Sequence, residues 1–247
     1  MALGSFHEIA EPRLVEIAAR AGFDFVMLDY EHGLRDLDAV RDALRMARLS
    51  GVDALVRIGP ADLALVGRLL DEGANGVVIA HVRTVEEARA AVREAYYAPL
   101  GHRGLNGTMA RAFRTGDPAS AAAAHNRHTF VFAIIEDEEG VENARAIAGL
   151  EGVTGLLPGR GDLRFAAALM NQPPQSVDRQ VDAILEAGRS TPGAILMDFA
   201  RSDAAFAATA RELGVQALLF GTETAILEAN YERLLKQARE IVPASTE

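Results

Sequence analysis

Acids, histidines and an arginine close the apolar runs of this 247-residue chain. Phe25-Val26-Met27-Leu28 runs into Asp29-Tyr30-Glu31-His32-Gly33, and Leu55-Val56 runs into Arg57. Gly76 to Ala80 reaches His81, Phe130 to Ile135 closes on Glu136, and Gly155 to Pro158 leads into Gly159-Arg160-Gly161-Asp162-Leu163. A buried parallel strand that ends this way delivers polar groups to the mouth of a site. The same pattern also fits strand ends whose acids and histidine are simply solvated.

Glu136 and Asp162 are the natural metal pair, two carboxylates at the ends of neighbouring strand candidates. With no cysteine in the chain, they favour a hard divalent cation, Mg²⁺ or Mn²⁺, with Co²⁺ also compatible. An acid that closes an apolar run needs a partner. Asp162 also suits the N-cap of the following helix. An arginine inside a strand, such as Arg57, is expensive unless it meets an anion; an ion pair with Asp29 or Asp71 would serve equally. His81, a lone histidine at a strand end, reads as a hydrogen-bonded structural group rather than a ligand. Only Lys236 is a lysine, and it lies in the C-terminal helix-period segment, so Schiff-base chemistry is nearly excluded.

The elements that must position these groups alternate from end to end. Strand candidates fall at Leu3–Phe6, Phe23–Asp29, Ala54–Ile58, Gly76–Ala80, Phe130–Glu136, Gly155–Pro158, Ala194–Met197 and Ala217–Phe220. Between them apolar residues recur at helical spacing: Leu14, Ile17, Ala18 and Ala21; Leu37, Val40, Leu44 and Ala47; Val177, Val181, Ile184 and Leu185. Thr84 and Glu87 have capping-box spacing before Val85, Ala88, Val92 and Ala95. A last stripe runs through Leu227, Tyr231, Leu234, Leu235 and Ala238. Eight strand-helix units in about 250 residues predict a (β/α)8 TIM barrel, α/β in class, as a single domain over residues 1–247. An open doubly wound sheet would be expected to carry a glycine-rich turn after the first strand, where Ser5-Phe6-His7-Glu8 stands instead. The stretch from Tyr96 to His128 is long for a connection and predicts a surface excursion with a short helix at Ala119–Ala124.

The formal charge of −10 without a basic stripe argues against nucleic acid and anionic membrane as partners. No apolar run approaches a membrane span and no signal pattern opens the chain. A cytoplasmic location is the expectation.

Taken together, Leu28-Asp29-Tyr30-Glu31-His32, Val56-Arg57, Leu70-Asp71-Glu72-Gly73-Ala74, Pro99-Leu100-Gly101-His102-Arg103-Gly104, Ile135-Glu136 and Gly159-Arg160-Gly161-Asp162-Leu163 resemble the HpcH/HpaI family of class II, metal-dependent pyruvate aldolases. The similarity spans nearly the whole chain. It implies a barrel whose C-terminal helix is swapped between subunits of a homo-oligomer, a hexamer built as a trimer of dimers. It also implies reversible aldol cleavage of 4-hydroxy-2-oxo acids to pyruvate and an aldehyde. By motif match, Glu136 and Asp162 hold the metal and Arg57 binds the keto or enolate oxygen. His32, oriented by Asp29, is the acid/base group, and Glu31 orders water at the metal. The amides around Gly161 and Asp162 hold the pyruvate carboxylate.

Departures from the family pattern concern the substrate. Ile134 stands where many members have glutamine, and Arg160 and Arg164 replace a proline and a serine. Arg160 is therefore expected either to meet a second substrate carboxylate or to pair with an acid such as Asp137. Two other functions fit the same residues: a citrate-forming condensation of acetyl-CoA with oxaloacetate for siderophore synthesis, and a non-catalytic barrel that binds a 2-oxo acid. No recognisable CoA site supports the first, and a binder has no need of the base.

Overall fold

The computed structural model describes residues 1–32, 36–105, 117–201 and 206–242. Gly33 of the first motif, and part of the long excursion, lie outside them. Eight parallel strands close into a barrel in sequence order: β1 (Ala2–His7), β2 (Phe25–Asp29), β3 (Asp53–Ile58), β4 (Gly76–Ile79), β5 (Phe130–Ile135), β6 (Gly155–Pro158), β7 (Ile195–Arg201) and β8 (Ala217–Thr222). All eight expected strands form, within a few residues of the expected ends. The helices are α1 (Pro12–Ala21), α2 (Leu37–Ser50), α3 (Val66–Asp71), α4 (Val85–Ala95), α5 (Pro118–Arg127), α6 (Glu138–Ala148), α7 (Arg160–Leu169), α8 (Pro174–Arg189), α9 (Phe206–Glu212) and α10 (Glu223–Ile241). A 3-10 turn, Pro60–Leu65, precedes α3.

Alternation along each strand sorts side chains into two cores. Phe6, Phe25, Met27, Leu55, Val78, Phe132, Ile134, Leu157, Met197 and Leu219 fill the barrel interior. Their neighbours Val26, Leu28, Val56, Val77, Val131, Leu156 and Leu218 face the helices. The same alternation places Asp29 two residues after Met27, Arg57 two after Leu55 and Glu136 two after Ile134. All three therefore continue the inward rows to the C-terminal mouth. In register, Asp29 stands beside Arg57 on adjacent strands.

Helix ends follow local chemistry. The Thr84–Glu87 capping box forms in both directions, and Asp137 caps α6 by accepting from the Gly140 amide at 2.8 Å. Helix α8 buries Val177, Val181, Ile184 and Leu185, the full expected stripe. Helix α1 turns differently: Val15 and Ala18 are buried, whereas Ile17 is exposed. Helix α10 departs further, with Leu227, Tyr231, Leu234 and Leu235 all exposed. The excursion after α4 is tied back by Tyr96, whose hydroxyl donates to the carbonyls of Thr129 and Gly152 at 3.0 and 2.9 Å. The expected short helix there extends over Pro118–Arg127.

Candidate active site

The inward rows meet at the C-terminal mouth around a cavity of about 400 Å³. Arg57, Glu136, Gly159, Arg160, Gly161, Asp162 and Arg164 line one part of it; Phe6, Ile134, Pro158, Phe199 and Ile226 form an apolar wall. Most of the sequence-derived site residues thus come together in one place.

Arg57 is the hub. Its Nε donates to Asp29 Oδ1 at 2.9 Å, its Nη2 lies 2.9 Å from Asp29 Oδ2, and Nε is also 3.3 Å from Glu31 Oε2. The Phe6 ring packs 4.8 Å from its guanidinium carbon. Burial works against the Arg57 charge, but the Asp29 hydrogen bond and the charges of Asp29, Glu31 and Glu136 outweigh it and raise the pKa. Of the two ion pairs open to Arg57, Asp29 is realised; Asp71 is taken by Arg103 at 2.5 Å.

Asp29 is buried, and its Oδ1 also accepts from the backbone amides of Glu31 at 3.0 Å and His32 at 3.5 Å. The expected Asp29–His32 partnership therefore includes the His32 main chain. The ring of His32, with a side chain 67% exposed, has Nε2 3.8 Å from Glu31 Oε2. Glu31 is the more central acid, reaching Arg57, His32 and, through Oε1 at 3.2 Å, His81 Nε2.

Glu136 is buried at the end of β5. Burial pushes its carboxyl up to about 7, and the Asp162 and Glu31 charges push the same way, against the bonds and charge of His81. A concentration of negative charge of this kind is what a divalent cation relieves, and carboxylate oxygens are the donors such a cation prefers. Glu136, Glu31 and His81 also place ligand-type atoms within 4.8 Å of one another. The donor set fits a metal.

Asp162 is not an N-cap. Helix α7 starts at Arg160 with Gly159 as its cap, so Asp162 occupies the third helical position and is exposed. The amides of Gly161 and Asp162 stand in the first turn, where N–H groups lack intrahelical acceptors and favour an anion. Gly159 is required: a Cβ there would lie 2.3 Å from the Glu136 Cβ and 2.5 Å from its Oε2.

Arg160 does not pair with Asp137, which caps α6. Its Nε and Nη2 instead donate to Asp198 Oδ1 and Oδ2 at 3.0 and 2.6 Å, and Asp198 is fully buried. Burial opposes the Arg160 charge, and the Asp198 bonds and charge more than compensate. A second substrate carboxylate would have to compete with that pair. Asp198 escaped sequence reasoning, although it carries the same signal as Glu136, an acid within an apolar strand run. His81, set aside in the sequence as structural, sits among the acids.

A (β/α)8 barrel whose C-terminal mouth gathers carboxylates, an arginine and a helix N-terminus has the layout of an enzyme. The chain belongs to the HpcH/HpaI aldolase/citrate lyase family, whose model matches residues 3–242. A hydroxypyruvate/pyruvate aldolase of Pseudomonas aeruginosa is 29% identical over 98% of this chain and 90% of its own. The structure of an HpcH/HpaI aldolase from Desulfitobacterium hafniense DCB-2 superposes with a TM-score of 0.90 at 31% identity, covering 100% of this chain and 95% of that one. The citrate synthase SbnG is similar at a TM-score of 0.84 and 27% identity, over 97% and 93%. The protein is accordingly a carbon–carbon lyase of the aldolase kind.

Proposed function

We propose that this aldolase is divalent-metal-dependent and cleaves or forms 4-hydroxy-2-oxo acids through a pyruvate enolate. The observation that carries this reading is the convergence of Glu136, Asp162 and Arg57 on one cavity. Glu136 and Asp162 would hold the cation, Mg²⁺, Mn²⁺ or Co²⁺. When bound, the cation would polarise the 2-oxo group and stabilise the negative charge that develops on its oxygen. Arg57 adds a second positive charge there. Its Nε and Nη2 are held by Asp29 and Glu31, so Nη1 is the nitrogen left for a ligand among the described residues. The amides of Gly161 and Asp162 receive the substrate carboxylate. His32 takes the proton from the C4 hydroxyl in cleavage and returns it in synthesis, the kind of exchange an imidazole supports near neutral pH. Asp29 and Glu31 place His32 through its main chain and ring. Phe6, Ile134 and Phe199 keep water from the enolate side. The test is pyruvate release from 4-hydroxy-2-oxo acids with Mg²⁺ or Mn²⁺. Release that stops with EDTA supports the reading, whereas thiol release from acetyl-CoA and oxaloacetate without any such cleavage replaces it.

The natural partners on this reading are a 2-oxo acid, an aldehyde and further copies of this chain. We read α10 as an element shared between subunits, in keeping with the expected hexamer. Its Leu227, Tyr231, Leu234 and Leu235 share one helical face and are exposed, as are Phe165, Leu169 and Met170 of α7. Among the described residues no helix is long and apolar enough to cross a membrane, and a cytoplasmic location remains part of this reading.

A further inference from the structure

His81 follows β4 in the left-handed region, with φ 54°. Only a few per cent of non-glycine residues do so, and histidine is one that tolerates it. The conformation lets one residue aim two groups at one oxygen. The His81 amide donates to Glu136 Oε1 at 2.6 Å, and its Nδ1 lies 3.1 Å from the same atom. At the far side of the ring, Nε2 stands 3.2 Å from Glu31 Oε1. Glu31 is in turn held by Arg57. The other Glu136 oxygen, Oε2, lies under Gly159, the residue that caps the helix carrying Asp162.

We propose that His81 is a positioning residue for the cation site: it holds Glu136 Oε1 so that Oε2 is presented to the Asp162 side. The proposal rests on the metal-dependent reading above and extends it to a residue outside the ligand pair. With the His81 amide bonded to Oε1 and Nδ1 3.1 Å from it, that oxygen is occupied and the carboxylate cannot rotate freely. With both ring nitrogens turned to carboxylate oxygens, Nδ1 to Glu136 and Nε2 to Glu31, the ring braces the two acids rather than entering the cation's own ligand set. Outer partners of this kind fix ligand orientation, and losing one typically weakens metal binding about 10- to 100-fold.

The experiment is Mn²⁺ titration by calorimetry of the full-length protein, beside His81→Asn, His81→Gly and Glu136→Gln. Asparagine and glycine both accept a positive φ and keep the backbone amide, so only the ring is removed. The proposal expects Mn²⁺ affinity to fall about 10- to 100-fold in both His81 variants, with the melting temperature of the cation-free protein little changed. It also expects no directly bound nitrogen in pulsed electron paramagnetic resonance of Mn²⁺ in the wild type. Unchanged affinity in His81→Asn and His81→Gly, with binding lost in Glu136→Gln, overturns the His81 role and leaves the metal reading standing. A directly coordinated histidine nitrogen overturns it too, by making His81 a ligand. Wild-type protein that does not bind Mn²⁺ overturns the metal reading itself, and His81's role with it.

Discussion

His7 and Glu136 are buried titratable groups whose environments act in opposite directions. Among the described residues His7 has no partner for either ring nitrogen, and burial lowers its pKa to about 4. Its stabilising contribution is complete above the unfolded value of about 6.5 and is lost as pH falls towards 4, because the unfolded chain then binds one more proton. Glu136, pushed up to about 7, behaves inversely: its contribution is complete below the unfolded value and is lost as pH rises to about 7. Between those limits the two slopes offset each other in cation-free protein. Replacing His7 with leucine removes one of them. The stability of His7→Leu relative to wild type, from urea unfolding, should rise by about 2 kcal/mol on going from pH 8 to pH 5; a difference independent of pH would refute the buried, neutral His7. At this scale the sequence was informative about residue types and blind to partners. Arg57, Glu136 and Asp162 announce themselves as charges at the ends of apolar runs. That Arg57 takes Asp29 and not Asp71 depends on strand register, which no local pattern records. The bond between Arg160 and Asp198 spans 38 residues and was illegible for the same reason.

At the scale of elements, the β6–α7 connection bears most on function. The first turn of α7, into which it leads, carries the two amides and Asp162, and Gly159 lets it pass against Glu136. Where relatives are expected to use a rigid proline, this chain has Arg160 bolted to Asp198 on β7, with Phe206 of α9 lying 5.9 Å from the guanidinium carbon. Removing only the arginine strands a buried carboxylate. Arg160→Ala should therefore destabilise the protein by about 3 kcal/mol, and the Arg160→Ala/Asp198→Ala double variant by less than the sum of the single changes. KM for acidic and neutral substrates should shift together. A rise confined to acidic substrates would return Arg160 to the substrate-binding role allowed by the sequence. Most elements were legible because β2 to β6 are short apolar runs with polar or glycine boundaries. Helix α1 was read in part: Ala18 is buried as expected, whereas Leu14 and Ile17 continue a plausible stripe and tertiary packing selects Val15 instead.

For the whole molecule, the barrel was readable from the count and alternation of its units, and the active mouth from the polar strand ends. The outward face of α10 was not readable from its spacing. Its apolar stripe has the spacing of a core helix, yet in a single chain that stripe faces outward. Hydrophobic periodicity reports that a face will be covered and is silent about whose chain covers it. Leu234→Glu and Tyr231→Glu should shift the protein to a smaller species in light scattering after gel filtration, while circular dichroism of the fold is retained. An unchanged mass would remove α10 from the interface.

On the proposed function, the mouth of this barrel generates an enolate with a divalent cation held by Glu136 and Asp162. The most direct measurement is proton exchange at the pyruvate methyl group, followed by NMR in D₂O with Mg²⁺ or Mn²⁺. Exchange that proceeds with wild-type protein, stops with EDTA and is lost in Glu136→Gln is the predicted result. No exchange with either cation, or exchange indifferent to EDTA, would contradict it.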